Sequence, residues 1–241
     1  MSVLEPNEVS FSFDYLLSCT INGLLTPNWR ERLICPVCGL NNRMRACIHL
    51  FEMLLKTDRE HSAIYITERV TPVYEWLARQ YVNVTGTEYF GENVPSGIHR
   101  NSIRNENLTK LSFFDGTFDC VLSFDVFEHV PDFQKAFREC HRVLKPHGQL
   151  FFTVPFDTNR EQNLVRAVMN DRNEIQHLLP PEIHGNPVNP DHGSLSFYLF
   201  GWEMLDQLRE AGFHDAYAHF YWSKKFGYLG REQYVFIATR G

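Results

Sequence analysis

Between Asp115 and Phe156 the spacing of apolar and polar residues changes twice, which predicts a strand, a helix and a second strand. Phe118–Ser123 is apolar on both faces apart from Asp119, the pattern of a central strand in a parallel sheet. Phe133, Phe137, Cys140 and Leu144 then recur at steps of four, three and four, one stripe of a helix. Pro131-Asp132 opens that helix and Lys145-Pro146-His147-Gly148 closes it. Leu150–Val154 is a second continuous apolar run. A strand–helix–strand unit this short predicts a doubly wound α/β sheet, in which ligands bind beyond the carboxyl ends of the strands. The tips that matter are therefore Ser123–His129 and Pro155-Phe156.

The same patterning organises the rest of the chain. His61–Thr67 reads as a first strand, Thr71–Gln80 as a helix and Asn83–Tyr89 as a second strand. Met44, Ile48, Phe51 and Leu55 form a helical stripe that should dock residues 1–57 on a main domain of residues 58–241. Residues 157–200 form a long insertion, with a short helix expected over 163–169 and a turn-rich loop over 180–193. Loops of that length in a compact domain usually carry function, often as lids over a pocket. Trp202–Arg209 reads as a helix closed at Ala211-Gly212, and His214–Trp222 and Gln233–Thr239 as two edge strands.

The ordered set FDCVLSFDVFEHVPD, RVLKPHG and TVP, within some forty residues, resembles the second half of class I S-adenosylmethionine (SAM)-dependent methyltransferases. The nearest branch is that of the ubiquinone-type O-methyltransferases, and the likeness runs over about residues 63–156. It implies a Rossmann-like, mostly parallel sheet of seven strands. It also implies SAM as cofactor, methyl transfer to a small or medium acceptor, and oxygen as the methylated atom. One departure stands out. The family opens with a glycine-rich turn after its first strand, whereas this chain reads Thr67-Glu68-Arg69-Val70-Thr71-Pro72. Without glycine the backbone cannot readily take positive φ or approach a ligand closely, so side chains of Thr67, Glu68 and Thr71 are expected to replace those contacts.

The resemblance assigns Glu88, ending the second strand, to the ribose hydroxyls, with Tyr89 beside the adenine. It puts Asn107 where the family carries an aspartate that meets the adenine amino group. An asparagine carbonyl can accept the same hydrogen bond. Leu108 would add backbone and apolar contact, and Ser123 and Phe124 would line the adenosine or sulfonium side. At the reacting end, Asp125, Glu128 and His129 stand at i, i+3 and i+4 and share one side if the turn is helical. Three readings stay open: His129 as general base, the three groups around a divalent ion, or a structural brace. Methyl transfer from an already activated sulfonium relies mainly on alignment and water exclusion, which suits a chain with no evident nucleophile. His184, His192 and Phe156 are candidate acceptor contacts.

Composition narrows the partners. A net charge of −6 speaks against tight non-specific nucleic-acid binding. The first residues lack a secretory pattern, and no apolar run approaches the ~20 residues of a membrane span; a cytoplasmic setting is the expectation. Cys19-Thr-Ile-Asn22-Gly23 and Cys35-Pro-Val-Cys38-Gly39 lie sixteen residues apart and share the shape of a zinc knuckle. Asn22 occupies one ligand position, leaving Cys19, Cys35 and Cys38 as thiolates, with Cys47 or His49 as candidates for a fourth ligand. The alternative is a ribbon that has lost its metal. Arg30, Arg32, Arg43 and Arg45 surround the motif, either as a solvated face or as an anion contact. Two rival functions remain at this point: a SAM-binding or scaffold protein without catalysis, and an RNA methyltransferase with a zinc ribbon.

Overall fold

The computed structural model describes residues 28–55 and 58–241, and before them the backbone of three short strands at Ser10–Phe11, Cys19–Ile21 and Leu24–Thr26. The chain divides into two compact units. One is Met1–Asp58 with Ala218–Val235, the other Arg59–Tyr217 with Phe236–Gly241.

The larger unit is built on a mixed sheet. Its strands are β1 (Ala63–Ile66), β2 (Asn83–Glu88), β3 (His99–Arg100), β4 (Ile103–Asn105), β5 (Phe118–Phe124), β6 (Leu144–Thr153), β7 (Phe213–Ser223) and β8 (Tyr228–Arg240). β7 and β8 run on into the smaller unit. The order is β7-β8-β6-β5-β1-β2-β4-β3. β4, β2, β1, β5 and β6 are mutually parallel, while β8 runs antiparallel to β6. The chain leaves β1 for β2 on one side and returns to β5 on the other. The crevice between the tips of β1 and β5 is thus the topological switch point.

The sheet has eight strands where seven are expected. The extra one, β3, is a two-residue edge strand antiparallel to β4. Its hairpin turns through Asn101 and Ser102, both at positive φ (50° and 63°), the twist that two-residue hairpins need.

Helix α1 (Pro72–Gln80) starts with Thr71, whose hydroxyl accepts from Tyr74 N, and with proline in its first turn. Helix α2 (Phe133–Val143) is capped by Asp132, which accepts from Lys135 N, and buries Phe133, Ala136, Phe137, Cys140 and Val143. Helix α3 (Glu203–Glu210) buries Met204 and Leu208. Phe127, Phe137 and Phe152 form a fully buried edge-to-face cluster, with ring centroids 4.8 Å (Phe127–Phe137) and 5.3 Å (Phe127–Phe152) apart. Each such side chain contributes roughly 1.5–3 kcal/mol through burial. Phe127 belongs to the turn beyond β5, so this cluster pins that turn to the sheet.

The insertion contains strands rather than the helix expected over 163–169. Leu164–Val165 pairs with Tyr198–Leu199, and Ala167–Met169 with Ile175–His177. The β-branched Val165 and Val168 suit strands. Asn170 closes the hairpin: its Oδ1 accepts from Arg172 N and Glu174 N, and Asn173 takes φ 59°. Local side-chain bonding of this kind competes with helix formation.

The smaller unit holds a helix at Asn42–Leu54, with Asn41 accepting from Met44 N at its start. Asn42 Nδ2 donates to Trp29 O and Leu229 O. The fully buried Arg45 donates to Phe226 O and lies over the Tyr228 ring.

Candidate functional site

The first loop, 67–71, is held by carboxylates instead of glycines. Thr67 N donates to Leu122 O and Arg69 N to Thr87 O, so the loop is tied to the strands on either side. Glu68 Oε1 accepts from Phe124 N at 3.1 Å, and the Thr67 hydroxyl donates to Glu68 Oε2. The Thr67 and Ser123 hydroxyls lie 3.0 Å apart. Glu88 Oε1 accepts from Val70 N at 2.6 Å, and burial raises the Glu88 pKa against the pull of the Val70 and Arg69 N–H groups. The close backbone approach lies on β2 at Gly86, where an added Cβ would meet the Tyr74 ring at 2.5 Å. Tyr89 beside Glu88 is exposed, and Leu108 is buried.

Asn107 is engaged within its own turn. Its Oδ1 accepts from Thr109 N at 2.9 Å and from Thr109 Oγ1 at 2.8 Å. A backbone N–H only donates, so the carbonyl orientation is fixed. Both lone pairs of that oxygen are used, and the amide NH2 is the group left for a ligand.

Beyond β5 the chain makes a sharp turn. Asp125 takes φ 58°, a conformation that aspartate tolerates better than most residues. Thr153 secures it at both ends: Asp125 N donates to Thr153 O, and Thr153 Oγ1 donates to Asp125 Oδ1. A single 3-10 turn follows at Phe127–His129. The helical register that would align Asp125 with the other two groups is therefore absent, and the close group formed here omits it.

That group is Glu128, His129 and His184, whose ligating atoms all lie within 4.8 Å of one another. His184 comes from the insertion, on the strand Ile183–His184 paired with Ser194–Leu195. The insertion is fastened to the turn by Phe197 N donating to Glu128 O, and by a 2.8 Å bond between His129 Nδ1 and Leu195 O. Glu128 is fully buried and neither carboxylate oxygen has a hydrogen bond. His129 Nε2 and His184 Nδ1 stand 3.6 and 3.5 Å from its Oε1.

Both rings are oriented from behind. A carbonyl only accepts, so His129 Nδ1 carries hydrogen and, in the neutral ring, Nε2 keeps its lone pair. His184 Nε2 lies 3.1 Å from Glu182 Oε1, so once the ring is neutral Nδ1 is its lone-pair nitrogen. Burial raises the Glu128 pKa. The Glu128 carboxylate 3.5 Å away, followed by that of Glu182, raises His184 to about 9 against the opposing effect of burial.

The remaining predicted residues sit apart. Phe156 packs edge-to-face on Trp202 and Phe236, with centroids 4.9 Å away in each case. His192 is exposed on the loop. In the smaller unit, Cys35 and Cys38 form a knuckle-like turn: Gly39, at φ 70°, donates from N to Cys35 O, and Cys35 N donates to Leu40 O. Burial raises the thiol of Cys38, while in Cys35 N–H groups and the Arg45 guanidinium overcome burial and lower it. The Cys19 side chain and Asn22 lie outside the described residues.

The sheet order, the switch point and the turn beyond β5 define a class I methyltransferase fold. Residues 71–152 match the family described as "Methyltransferase domain". Among curated relatives, it is 37% identical over 67 residues to the ubiquinone biosynthesis O-methyltransferase of Pseudomonas syringae pv. tomato, covering 28% of each chain. It is 35% identical over 79 residues to a probable S-adenosylmethionine-dependent methyltransferase of Mycobacterium tuberculosis, covering 33% of this chain and 29% of that one. The alignments thus span less than a third of either relative. A similar solved structure is the methyltransferase in complex with the Trm112 activator of Haloferax volcanii. It has a TM-score of 0.50 and 13% identity, with 82% of this chain and 90% of that one covered; this likeness concerns the fold alone. Among the described residues, no helix is long and apolar enough to cross a membrane.

Proposed function

We propose that the chain transfers the methyl group of SAM to a hydroxyl of a small or medium acceptor, with a divalent cation held by Glu128, His129 and His184. The observation that carries this reading is the Glu128 carboxylate, buried without a hydrogen bond and faced by two imidazole nitrogens. A buried carboxylate with contacts no shorter than 3.5 Å is incompletely satisfied, and a cation between the three groups would take the place of the His184 proton as its counter-charge. Rings whose other nitrogens are hydrogen-bonded behind them are the usual support of metal ligands. Two imidazoles and one carboxylate suit a borderline transition-metal ion better than magnesium or calcium, which prefer oxygen. When bound, such an ion would orient the acceptor hydroxyl and lower its pKa. The residues do the rest. Leu195 O and Glu182 hold the two rings, Phe197 fixes the Glu128 backbone, and the loop 67–71 with Glu88 would seat the nucleoside. Oxygen as the methylated atom rests on the likeness to the ubiquinone-type branch.

A second reading uses the same orientation without a metal: His129 Nε2 takes the acceptor proton as general base. Incubation with labelled SAM and cell extract, with and without a chelator, tests both. Labelled product that disappears with the chelator and returns with manganese or zinc supports the first. Product indifferent to the chelator but lost in His129→Asn supports the second, and no product in any extract overturns both. For Cys35 and Cys38, structural zinc with Cys19 is a separate proposal. It requires about one zinc per chain, lost in Cys35→Ser.

A further inference from the structure

Behind the Glu128–His129–His184 group stands a residue with no part in the chemistry above. Arg166 lies between the strands Leu164–Val165 and Ala167–Met169 of the insertion, and both its main chain and its side chain lead back to Glu128. Its N–H donates to Phe197 O at 2.7 Å, and Phe197 N donates to Glu128 O at 2.7 Å. Its guanidinium Nη2 lies 3.1 Å from Glu182 Oε2 and donates to Pro180 O at 3.1 Å. The other oxygen of the same carboxylate, Oε1, lies 3.1 Å from His184 Nε2, and that ring presents Nδ1 to Glu128. The two routes close a ring that runs through Arg166, Glu182, His184, Glu128 and Phe197.

Glu182 is the weak member of that ring. Its side chain is 47% exposed, against 18% for Arg166 and none for Glu128. An exposed carboxylate has several rotamers and water as a competing donor, so one imidazole nitrogen does not hold it. Arg166 is sheltered, and its backbone is fixed because its carbonyl accepts from Leu178 N and Leu179 N at 2.8 and 3.1 Å. Its guanidinium is planar and permanently charged, a firm post for the second carboxylate oxygen. We propose that Arg166 is a positioning residue for His184: acting through Glu182, it fixes which ring nitrogen faces Glu128. The two nitrogens of an imidazole exchange places when the ring flips, and a partner behind the ring decides between them. This rests on the reading above that His184 belongs to the acceptor-side group, and adds a further layer of support drawn from the hairpin strands.

The side chain can be tested apart from the main chain, whose bonds to Phe197, Leu178 and Leu179 survive substitution. Zinc affinity is measured near neutral pH by competition with a chromophoric chelator, in a cycle of Arg166→Met, Glu182→Gln and the double variant. Arg166→Met should weaken zinc about tenfold, the usual loss for an orienting group outside the ligands. Arg166→Lys, which keeps a charged donor, should restore most of that loss. Once Glu182 is replaced, Arg166→Met should change the affinity by less than about twofold, whatever Glu182→Gln does alone. Nitrogen-15 NMR of the metal-free chain at about pH 10, where the ring is neutral, reads the tautomer of His184 directly. It should place the proton on Nε2 in the wild-type chain and show both tautomers in Arg166→Met. If Arg166→Met folds poorly, the shorter and uncharged Arg166→Gln takes its place. An unchanged zinc affinity, equal losses with and without Glu182, or a single Nε2–H tautomer in both chains overturns the inference. A wild-type chain that binds no zinc removes the metal reading instead, and the tautomer comparison then decides the role of Arg166.

Discussion

The cofactor crevice and the Glu128–His129–His184 group lie on successive parts of the same sheet edge and are built on opposite plans. In the crevice the polar groups are bonded within the chain: Val70 N to Glu88, Phe124 N to Glu68, and Asn107 Oδ1 to Thr109. In the second site, a buried carboxylate has no hydrogen bond at all. A ligand entering the crevice must exchange existing bonds, so its net gain is small per contact. A cation entering the second site would displace the His184 proton and approach a carboxylate whose contacts are no shorter than 3.5 Å. The crevice is thus satisfied within the chain when empty, whereas the Glu128 carboxylate depends on a proton held by His184.

The sharpest way to break this comparison is to release the turn while leaving the crevice intact. Phe127→Ala removes the ring that packs on Phe137 and Phe152, and should cost about 3–5 kcal/mol in denaturant unfolding. At low temperature the surviving folded protein should still bind S-adenosylhomocysteine but hold metal poorly. Equal loss of both would mean that the two sites are one unit. Next in size is Glu128→Gln. We expect metal affinity to fall by more than about a hundredfold, beyond the usual cost of losing an orienting partner. An unchanged metal affinity would show that the Glu128 carboxylate is not a ligand.

The two sites also differ in how far the sequence discloses them. The strand–helix–strand unit, the switch point and the strand-tip residues 67, 68, 88, 123 and 124 follow from patterning, since each side chain lies at the end of a periodic run. Glu128 and His129 are visible for the same reason. Their convergence with His184 is not, because it depends on a hairpin pairing Ile183 with Leu195 inside a segment without strong periodicity. The strands at 164–169 were obscured likewise: a run such as Leu164-Val165-Arg166-Ala167-Val168 suits either period, and Asn170 decides it through local bonds. Asn107 looks free in sequence, and only the turn to Thr109 shows its carbonyl to be occupied.

Acidity offers a graded probe of the second site. His184 titrates at about 9 without metal, raised by Glu128 and Glu182, so at neutral pH its Nδ1 holds a proton that a metal must displace. Metal affinity should therefore rise with pH, about tenfold per unit up to pH 9, and level off above it. The sign is opposite for the metal-free fold. Because His184 is more basic folded than unfolded, its contribution is complete below its ordinary value and disappears as pH rises through 9. Glu182→Gln removes one of the raising charges and should move both midpoints to lower pH. An NMR titration of the His184 ring checks this, and a midpoint near the ordinary imidazole value in the wild-type protein would remove the coupled pair.

The smallest effect belongs to the crevice. On the resemblance to the family, residue 107 faces the adenine amino group, yet Asn107 spends its only carbonyl on Thr109. Asn107→Asp keeps one oxygen for that turn and adds a second with free lone pairs, able to accept from the amino group. The gain should be about threefold to tenfold in adenosine-nucleoside affinity, one ordinary hydrogen bond. An inosine nucleoside, which presents a carbonyl at that position, should lose affinity to the same change through repulsion between acceptors. If both nucleosides respond alike, residue 107 does not read the base edge, and the crevice must take its purine by packing against Leu108 and Tyr89.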